Sequence, residues 1–219
     1  MPQQLQCLFV SGHCNNRTMN PRVALIILLL FSLQTFGQKK KGKKEYKIPT
    51  ELDAAIAEEN YKCVFRNTLS SEQRKQFYPF NKASKILLIS YNDTTAIENT
   101  TPVENKKLDL TKVLETVVLN QIQVDSLTSI LYNVGVKSTD YWFQMGDPGR
   151  KCYNPRNSII FLDEKQRAFE YIEICFECHQ DRLSSRKIKN WTTCESKFEL
   201  LQDYFLWSGI NIGTLRRTD

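Results

Sequence analysis

The chain has 219 residues, of which 41% are hydrophobic and 25% charged, enough for one folded domain with its own core. Its 30 basic residues exceed its 24 acidic ones, but the excess comes from two arginines before residue 38 and a run of four lysines, Lys39, Lys40, Lys43 and Lys44. A nucleic-acid-binding face needs basic residues spread over the fold. The composition therefore argues against a nucleic-acid partner and leaves at most a weak contact of the four lysines with an anionic membrane surface.

The first predicted element is an export signal over residues 19–38. After Met19 and Arg22 comes an apolar run of about 11 residues, then a polar exit that ends at Gly37 and Gln38. A transmembrane helix needs about 20 apolar residues, so the run is too short to span a membrane. We predict a bacterial signal peptide cleaved after Gln38, and hence a secreted or periplasmic protein.

The segments on either side of this signal have simple compositions. Residues 1–18 show no apolar period and are predicted to be a non-native upstream extension, with Met19 as the true start. Residues 39–47 are predicted to be a flexible, lysine-rich tail. The remainder, residues 48–219, is predicted to form a single domain.

That domain is predicted to begin with a helix and continue with strands. Thr50 is suited to N-cap a helix that runs to about Tyr61. The apolar run Lys85–Tyr91 lies between polar segments, which predicts a buried strand. The β-branched run Val113–Leu119 predicts a second strand.

A second helix is predicted directly after this strand. Asn120 and Gln123 have the spacing of a capping box, and Leu119 and Val124 that of a hydrophobic staple. Gly135 is predicted to end the helix, because glycine readily adopts the left-handed conformation found there.

The last part of the chain predicts a β-hairpin and a final helix. Ser158–Leu162 and Ala168–Phe176 are predicted strands joined by a short turn at 163–167. A capping box over Thr192–Glu195 is predicted to start a helix that stops at Gly209. Together the elements predict an α+β fold, with a small antiparallel or mixed sheet, a C-terminal β-hairpin and helices packed on one face.

Five cysteines follow the predicted signal peptide, and an oxidising compartment favours disulfides between them. With the hairpin turn near Lys165, the strand register places Cys152 near Cys178. We therefore expect a Cys152–Cys178 bond and a second bond between Cys175 and Cys194. Cys63 would then be the odd thiol.

The same four cysteines allow other chemistry. Cys152, Cys175, Cys178 and Cys194 have the composition of a four-thiolate zinc site. Cys175, Cys178 and His179 also match the C-x-x-C-H form of a haem c attachment site, although that motif here ends a predicted strand. A thioredoxin-like pair would need Cys175 and Cys178 at a helix N-terminus, which the sequence does not predict. Zinc or haem c therefore remain alternatives to a protein without a cofactor.

Two further residues are candidates for a polar site, and no complete catalytic group is predicted. Arg156 has the chemistry to hold an anion or to pair with Glu173, which lies between isoleucines in a predicted strand. His179 is the one histidine after the signal peptide, and its neighbour Cys178 would point the other way on a strand. The sequence therefore favours a protein that is not an enzyme.

Three segments resemble a group of uncharacterised exported bacterial proteins with the pattern C-Y-x-P-R, a hairpin, I-C-F-x-C and a later cysteine before a terminal amphipathic helix. The matching segments are Cys152–Asn157, Ile160–Asp163 and Tyr171–Cys178, followed by Cys194. This resemblance implies a cysteine framework and no activity. We expect an exported, cysteine-stapled binding or envelope-associated module for an unknown protein or small ligand of the cell envelope, with a zinc or redox protein as the alternative.

Overall fold

A computed structural model describes residues 48–92, 100–140 and 153–214. Within these ranges the chain forms four helices and nine strands. In order they are α1 (Glu51–Tyr61), β1 (Cys63–Phe65), α2 (Ser71–Lys75), β2 (Lys85–Tyr91), β3 (Val103–Glu104), β4 (Lys107–Leu108), β5 (Val113–Val118), α3 (Gln121–Asn133), β6 (Val134–Val136), β7 (Asn157–Leu162), β8 (Ala168–Cys175), β9 (Gln180–Leu183) and α4 (Lys197–Ser208).

The largest sheet has five strands in the order β5-β2-β7-β8-β9. Every neighbouring pair in it is antiparallel. Two further sheets have two strands each, β1 with β6 and β3 with β4. The predicted α+β class is confirmed, and the sheet is antiparallel with the predicted C-terminal hairpin formed by β7 and β8.

Two of the helices begin where local sequence signals predict. The Thr50 side chain accepts a hydrogen bond from the backbone N–H of Asp53, whose carboxylate accepts from Thr50 in return. Asn120 and Gln123 form the same reciprocal pair at the start of α3, with both bonds 2.9 Å long. Each capping box satisfies backbone donors that a helix N-terminus otherwise leaves open.

The boundaries of two other elements differ from prediction. Gly135 does not end α3, because the helix stops at Asn133 and Gly135 instead pairs with Val64 between β6 and β1. The last helix starts at Lys197, and Ser196 makes no side-chain cap. Its C-terminus is as predicted, since Gly209 adopts the left-handed conformation with φ of 102°.

One face of the five-stranded sheet is covered by α3 and α4, which confirms the prediction that helices pack on one face. Alternate residues of β2, β7 and β8 point to this side, because successive side chains of a strand face opposite ways. They join apolar residues of both helices in one core cluster that includes Leu88, Phe161, Ile172, Leu127 and Phe205. Each such side chain contributes about 1.5–3 kcal/mol on burial.

The opposite face of the sheet is helix-free among the described residues. At one end, Leu87 and Ile160 pack under the small β3–β4 hairpin, through Val103 and Leu108. At the other end the same strands present polar residues, and this polar end is described below.

Lys197, the first residue of α4, is fully buried in the helix layer. Its Nζ donates to the backbone oxygens of Ile130, Leu131 and Val134 at 2.6, 3.1 and 2.6 Å. These carbonyls lie at the end of α3, where the helix leaves acceptors unpaired and carries partial negative charge. Lys197 therefore closes the end of α3 with a cation.

Residues Ile48–Asp219 form one compact unit. The predicted upstream extension, signal peptide and lysine-rich tail lie outside the described residues. No helix in the described part of the chain is both long and apolar enough to cross a membrane.

Candidate binding site on the helix-free sheet face

The polar end of the helix-free face is centred on Glu173 of β8. The antiparallel register places Ser158 of β7 opposite Glu173 on one side and Arg182 of β9 opposite it on the other. Glu173 is buried although its neighbours Ile172 and Ile174 point into the helix-side core. A carboxylate in this position needs partners, because an isolated buried charge is strongly unfavourable.

Three groups surround the Glu173 carboxylate. The backbone N–H of Thr101 donates to Oε1 at 2.6 Å, and the Tyr153 hydroxyl donates to Oε2 at 3.2 Å. The guanidinium of Arg182 lies 3.9 Å from Oε2. Two hydrogen bonds and one cation therefore compensate the buried charge.

Arg182 forms the solvent-facing part of this group. Its side chain is 58% exposed, and its guanidinium lies over the Tyr153 ring, 4.4 Å from the ring centre. The stack and the carboxylate fix the orientation of the side chain, while a 3.9 Å ion pair leaves most of its five donors without a partner among residues 48–92, 100–140 and 153–214. Arg182 is thus a pre-oriented cation at the surface.

Tyr91 closes the inner side of the group. Its hydroxyl is buried and has no hydrogen-bond partner of good geometry among the described residues. The neighbouring hydroxyls of Thr101 and Ser158 bond to each other, with the two oxygens 2.5 Å apart. Burial raises the pKa of Tyr91 and of Tyr153 far above the usual value, and the charge of Glu173 raises both further. Both phenols are therefore neutral donors at physiological pH.

Among the described residues the cation beside Glu173 is Arg182 and not Arg156. The alternative expectation, that Arg156 holds an anion, stays a prediction. Arg156 lies just before β7, and its carbonyl accepts the Tyr91 N–H at 2.9 Å. The register explains the difference: Arg182 is directly opposite Glu173, whereas on the β7 side Ser158 is.

The cysteine pairing also differs from prediction. Cys63 and Cys194 form a disulfide, with sulfurs 2.06 Å apart, so Cys194 does not bond Cys175 and Cys63 is not the odd thiol. The segment before α4 lies against the end of α1, where the Glu195 N–H donates to the Tyr61 carbonyl. The predicted Cys152–Cys178 bond involves Cys152, which is outside the described residues.

The C-x-x-C-H motif forms the turn between β8 and β9. Cys178 donates its N–H to the Cys175 carbonyl at 3.3 Å, and both cysteine side chains are buried. His179 has a positive φ of 50°, and its ring stacks on Phe198, with ring centres 5.7 Å apart. A haem attached here would have to open this packed turn, because its bonds form at the two buried sulfurs.

The proposed zinc ligand set loses Cys194, because a cysteine in a disulfide is not available as a thiolate. Among residues 48–92, 100–140 and 153–214, no three His, Cys, Asp or Glu side chains are grouped as metal ligands would be. Cys175 is a buried free thiol next to the Glu173 group.

Sequence reasoning named Glu173 but missed its partners. The partners Tyr91, Thr101, Ser158 and Arg182 carry no motif. Tyr153 belongs to the C-Y-x-P-R segment, which gives no sign of a contact with Glu173. Arg182 is the partner that the sequence could have indicated. Once the turn at residues 176–179 is recognised, the β8–β9 register sets Arg182 opposite Glu173.

Comparison with known proteins found no matching family model, no matching curated protein and no matching solved structure.

Proposed function

We propose that this protein is an exported binding module that recognises a ligand bearing an anionic group, a carboxylate or a phosphate, through Arg182. The observation that carries the proposal is the exposed guanidinium held between the Tyr153 ring and the buried Glu173 carboxylate. A planar guanidinium matches the geometry of carboxylate and phosphate oxygens. Because the Arg182 side chain is already oriented, it loses less conformational entropy when a ligand binds, and this loss would otherwise reduce the affinity.

Glu173 acts as the support of this site. Its oxygens already accept from Thr101 and Tyr153, and it is buried, so its role is to hold the arginine and the tyrosine in place. Tyrosine and arginine are also the residue types most often found at the energetic centre of a recognition surface.

Export is supported by two independent features. The sequence carries a signal-like segment over residues 19–38, and the folded part contains the Cys63–Cys194 disulfide. Disulfides persist in secreted and periplasmic proteins and are rare in a reducing cytosol.

Export is tested by expressing the full chain in a Gram-negative host and measuring the intact mass of the protein in each fraction. We expect a periplasmic chain that begins near Lys39 and whose Cys63 and Cys194 resist alkylation before reduction. Recovery of the uncleaved chain from the cytosol alone would overturn this part of the proposal.

Anion recognition is tested by NMR titration with two probes, inorganic phosphate and acetate. We expect saturable shifts of the Arg182 side-chain N–H and of amides near Tyr153 and Glu173. Arg182→Gln should weaken binding at least about tenfold, because a hydrogen bond to a charged group contributes about 1.5–3 kcal/mol.

The matched control is Arg167→Gln. Arg167 is 52% exposed and also sits beside a carboxylate, with its Nη2 2.7 Å from Asp163, but it lies on the β7–β8 turn. Equal losses in the two variants, or shifts spread evenly over all exposed basic residues, would show nonspecific ion binding and overturn the proposal.

A further inference from the structure

The β5 edge of the five-stranded sheet exposes apolar side chains. Leu114 and Val118 are 51% and 55% exposed, and Thr116 between them is exposed as well. A bare, apolar edge strand is a template for pairing with another strand, and proteins normally protect such edges with charges.

The backbone of β5 also has positions on its outer side that no described residue pairs with. In this strand the odd-numbered residues direct their backbone groups to β2, as the 2.9 Å bond from Leu119 N–H to the Ile86 carbonyl shows. The alternation of an antiparallel pair then turns the N–H and C=O groups of Thr116 and Val118 outward. These groups are positioned to extend the sheet.

The charged residue of the strand is turned away from this edge. Glu115 accepts from the Ser90 hydroxyl at 2.8 Å and from the Ile212 N–H at 2.9 Å. Its carboxylate is therefore engaged with β2 and with the turn after α4. Another strand approaching β5 would meet no exposed charge between Val113 and Val118.

Further exposed apolar side chains border β5. Ile122 lies in the first turn of α3, four residues after Val118, and is exposed. Trp207, also exposed, is two residues before Gly209, which lies against the Val117 side chain. Apolar surface of this kind marks interaction sites on folded proteins.

We propose that β5 pairs antiparallel with the β5 strand of a second copy of this chain, about a twofold axis at Thr116, so that two five-stranded sheets join into one of ten strands. This register sets Leu114 of each copy opposite Val118 of the other, so the two exposed apolar side chains of the edge cover each other. A twofold axis one residue further on, at Val117, would set Leu114 opposite the polar Asn120.

The occupant follows from the lack of exposed charge on β5 and from the register that sets its two exposed apolar residues opposite each other. An edge without exposed charge meets its own copy without like-charge repulsion, and a twofold interface requires a patch that complements itself. The other edge of the sheet, β9, offers the charged residues Asp181 and Arg182 and does not meet this condition.

The test is sedimentation equilibrium of the protein purified after expression of the full chain. We expect a monomer–dimer equilibrium with a dissociation constant on the order of 1–100 μM, as for a small interface. Thr116→Pro removes one outward N–H and leaves the β2 ladder intact, so it should give a monomer. Val118→Lys should do the same by placing charge at the edge.

Ile56→Lys is the matched control, because Ile56 is 48% exposed on α1 and does not belong to the sheet. This variant should dimerise like the original chain, and circular dichroism should show all three variants folded. If Thr116→Pro fails to fold, Val118→Lys alone decides.

Cross-linking tests the register. Thr116→Cys should be linked across the twofold axis by a short bismaleimide, whereas Ile56→Cys should not. A protein that stays monomeric at all concentrations, or a dimer that survives both edge variants, would overturn the proposal. Binding of an added extended peptide to the monomer would mean that a different chain occupies the edge, and would overturn it too.

Discussion

The two faces of the five-stranded sheet are stabilised in different ways. The helix-covered face buries a continuous apolar cluster, and the helix layer above it is tied by the Cys63–Cys194 disulfide and by Lys197. The helix-free face ends in a polar group around Glu173, held by hydrogen bonds and by one exposed cation. The first arrangement maintains the fold, and the second leaves an oriented charge open to solvent.

The same contrast is seen between two glutamates of β8, Glu170 and Glu173. Glu170 and Glu173 are both buried but point to opposite faces. Glu170 accepts from Tyr78 and Ser185 at 2.7 Å each and from Ser184, all of them hydroxyls. Glu173 accepts from one hydroxyl, that of Tyr153, and its other two partners, the Thr101 backbone N–H and Arg182, can only donate. Of the two carboxylates, the one with an adjoining exposed cation is the candidate for function.

The largest expected effect is on the helix-covered side. The disulfide closes a loop with a sequence separation of 131, so the double variant Cys63→Ala/Cys194→Ala should lower the free energy of unfolding by about 4–5 kcal/mol. Urea denaturation measures this loss. Cys175→Ala, which shortens a buried thiol without opening a loop, should cost only about 1 kcal/mol, and equal costs would contradict the assignment.

The glutamates should differ in their response to an isosteric amide. In Glu173→Gln the NH₂ group can donate only to the Tyr153 oxygen, because the Thr101 N–H and Arg182 cannot accept, and the negative charge that faces Arg182 is lost. This variant should cost about 2 kcal/mol. The hydroxyls around Glu170 can rotate to accept, so Glu170→Gln should cost about 1 kcal/mol. Paired urea titrations measure both, and a reversed order would contradict the different roles assigned to the two faces.

Lys197 should make the free energy of unfolding depend on pH. Burial lowers the pKa of Lys197 to about 8, below the usual lysine value of 10.5. Between these values Lys197 binds more protons in the unfolded chain than in the folded one, so its contribution to stability should rise with pH. From pH 8 to about 9.5 the gain should be on the order of 1 kcal/mol.

Lys197→Met should remove this rise while leaving the rest of the pH profile in place. The rise in stability should end near pH 10. Tyrosines then begin to ionise in the unfolded chain, whereas burial raises the pKa of Tyr132 and Tyr204 in the folded chain, so stability falls with pH. A Lys197→Met variant with an unchanged slope between pH 8 and 9.5 would show that Lys197 stays charged when folded.

The smallest expected effect on stability belongs to the proposed binding residue. Arg182→Gln removes the exposed cation of a 3.9 Å ion pair but leaves both hydrogen bonds to the buried Glu173 carboxylate, so it should cost about 1 kcal/mol or less. The same variant should lose anion binding. Thermal unfolding and the phosphate titration together separate the two roles, and a large loss of stability would make Arg182 a structural residue instead.

Local signals in the sequence predicted much of the fold. The apolar run Lys85–Tyr91 and the hairpin strands are strands, and the capping residues Thr50 and Asn120 start helices, because each signal involves neighbours in the chain. Gly135 was misassigned since its pairing with Val64 depends on a segment about 70 residues away.

The candidate site was harder to predict for the same reason. Glu173 was identified from its position between isoleucines, but Thr101, Tyr153 and Arg182 reach it only through strand register and loop placement. The disulfide was mispaired because register within the hairpin says nothing about Cys63, which lies on a separate two-stranded sheet.

The Cys63–Cys194 bond has a consequence for how the chain is made. At a synthesis rate of about 5–20 residues per second, Cys63 emerges roughly 7–25 s before its partner. Cys152, Cys175 and Cys178 emerge during that interval. Native pairing therefore does not follow the order of emergence, and a thiol that reacts early must be exchanged by thiolate attack before α4 docks. The yield of correctly paired protein should accordingly depend on a disulfide isomerase in the compartment where the chain folds.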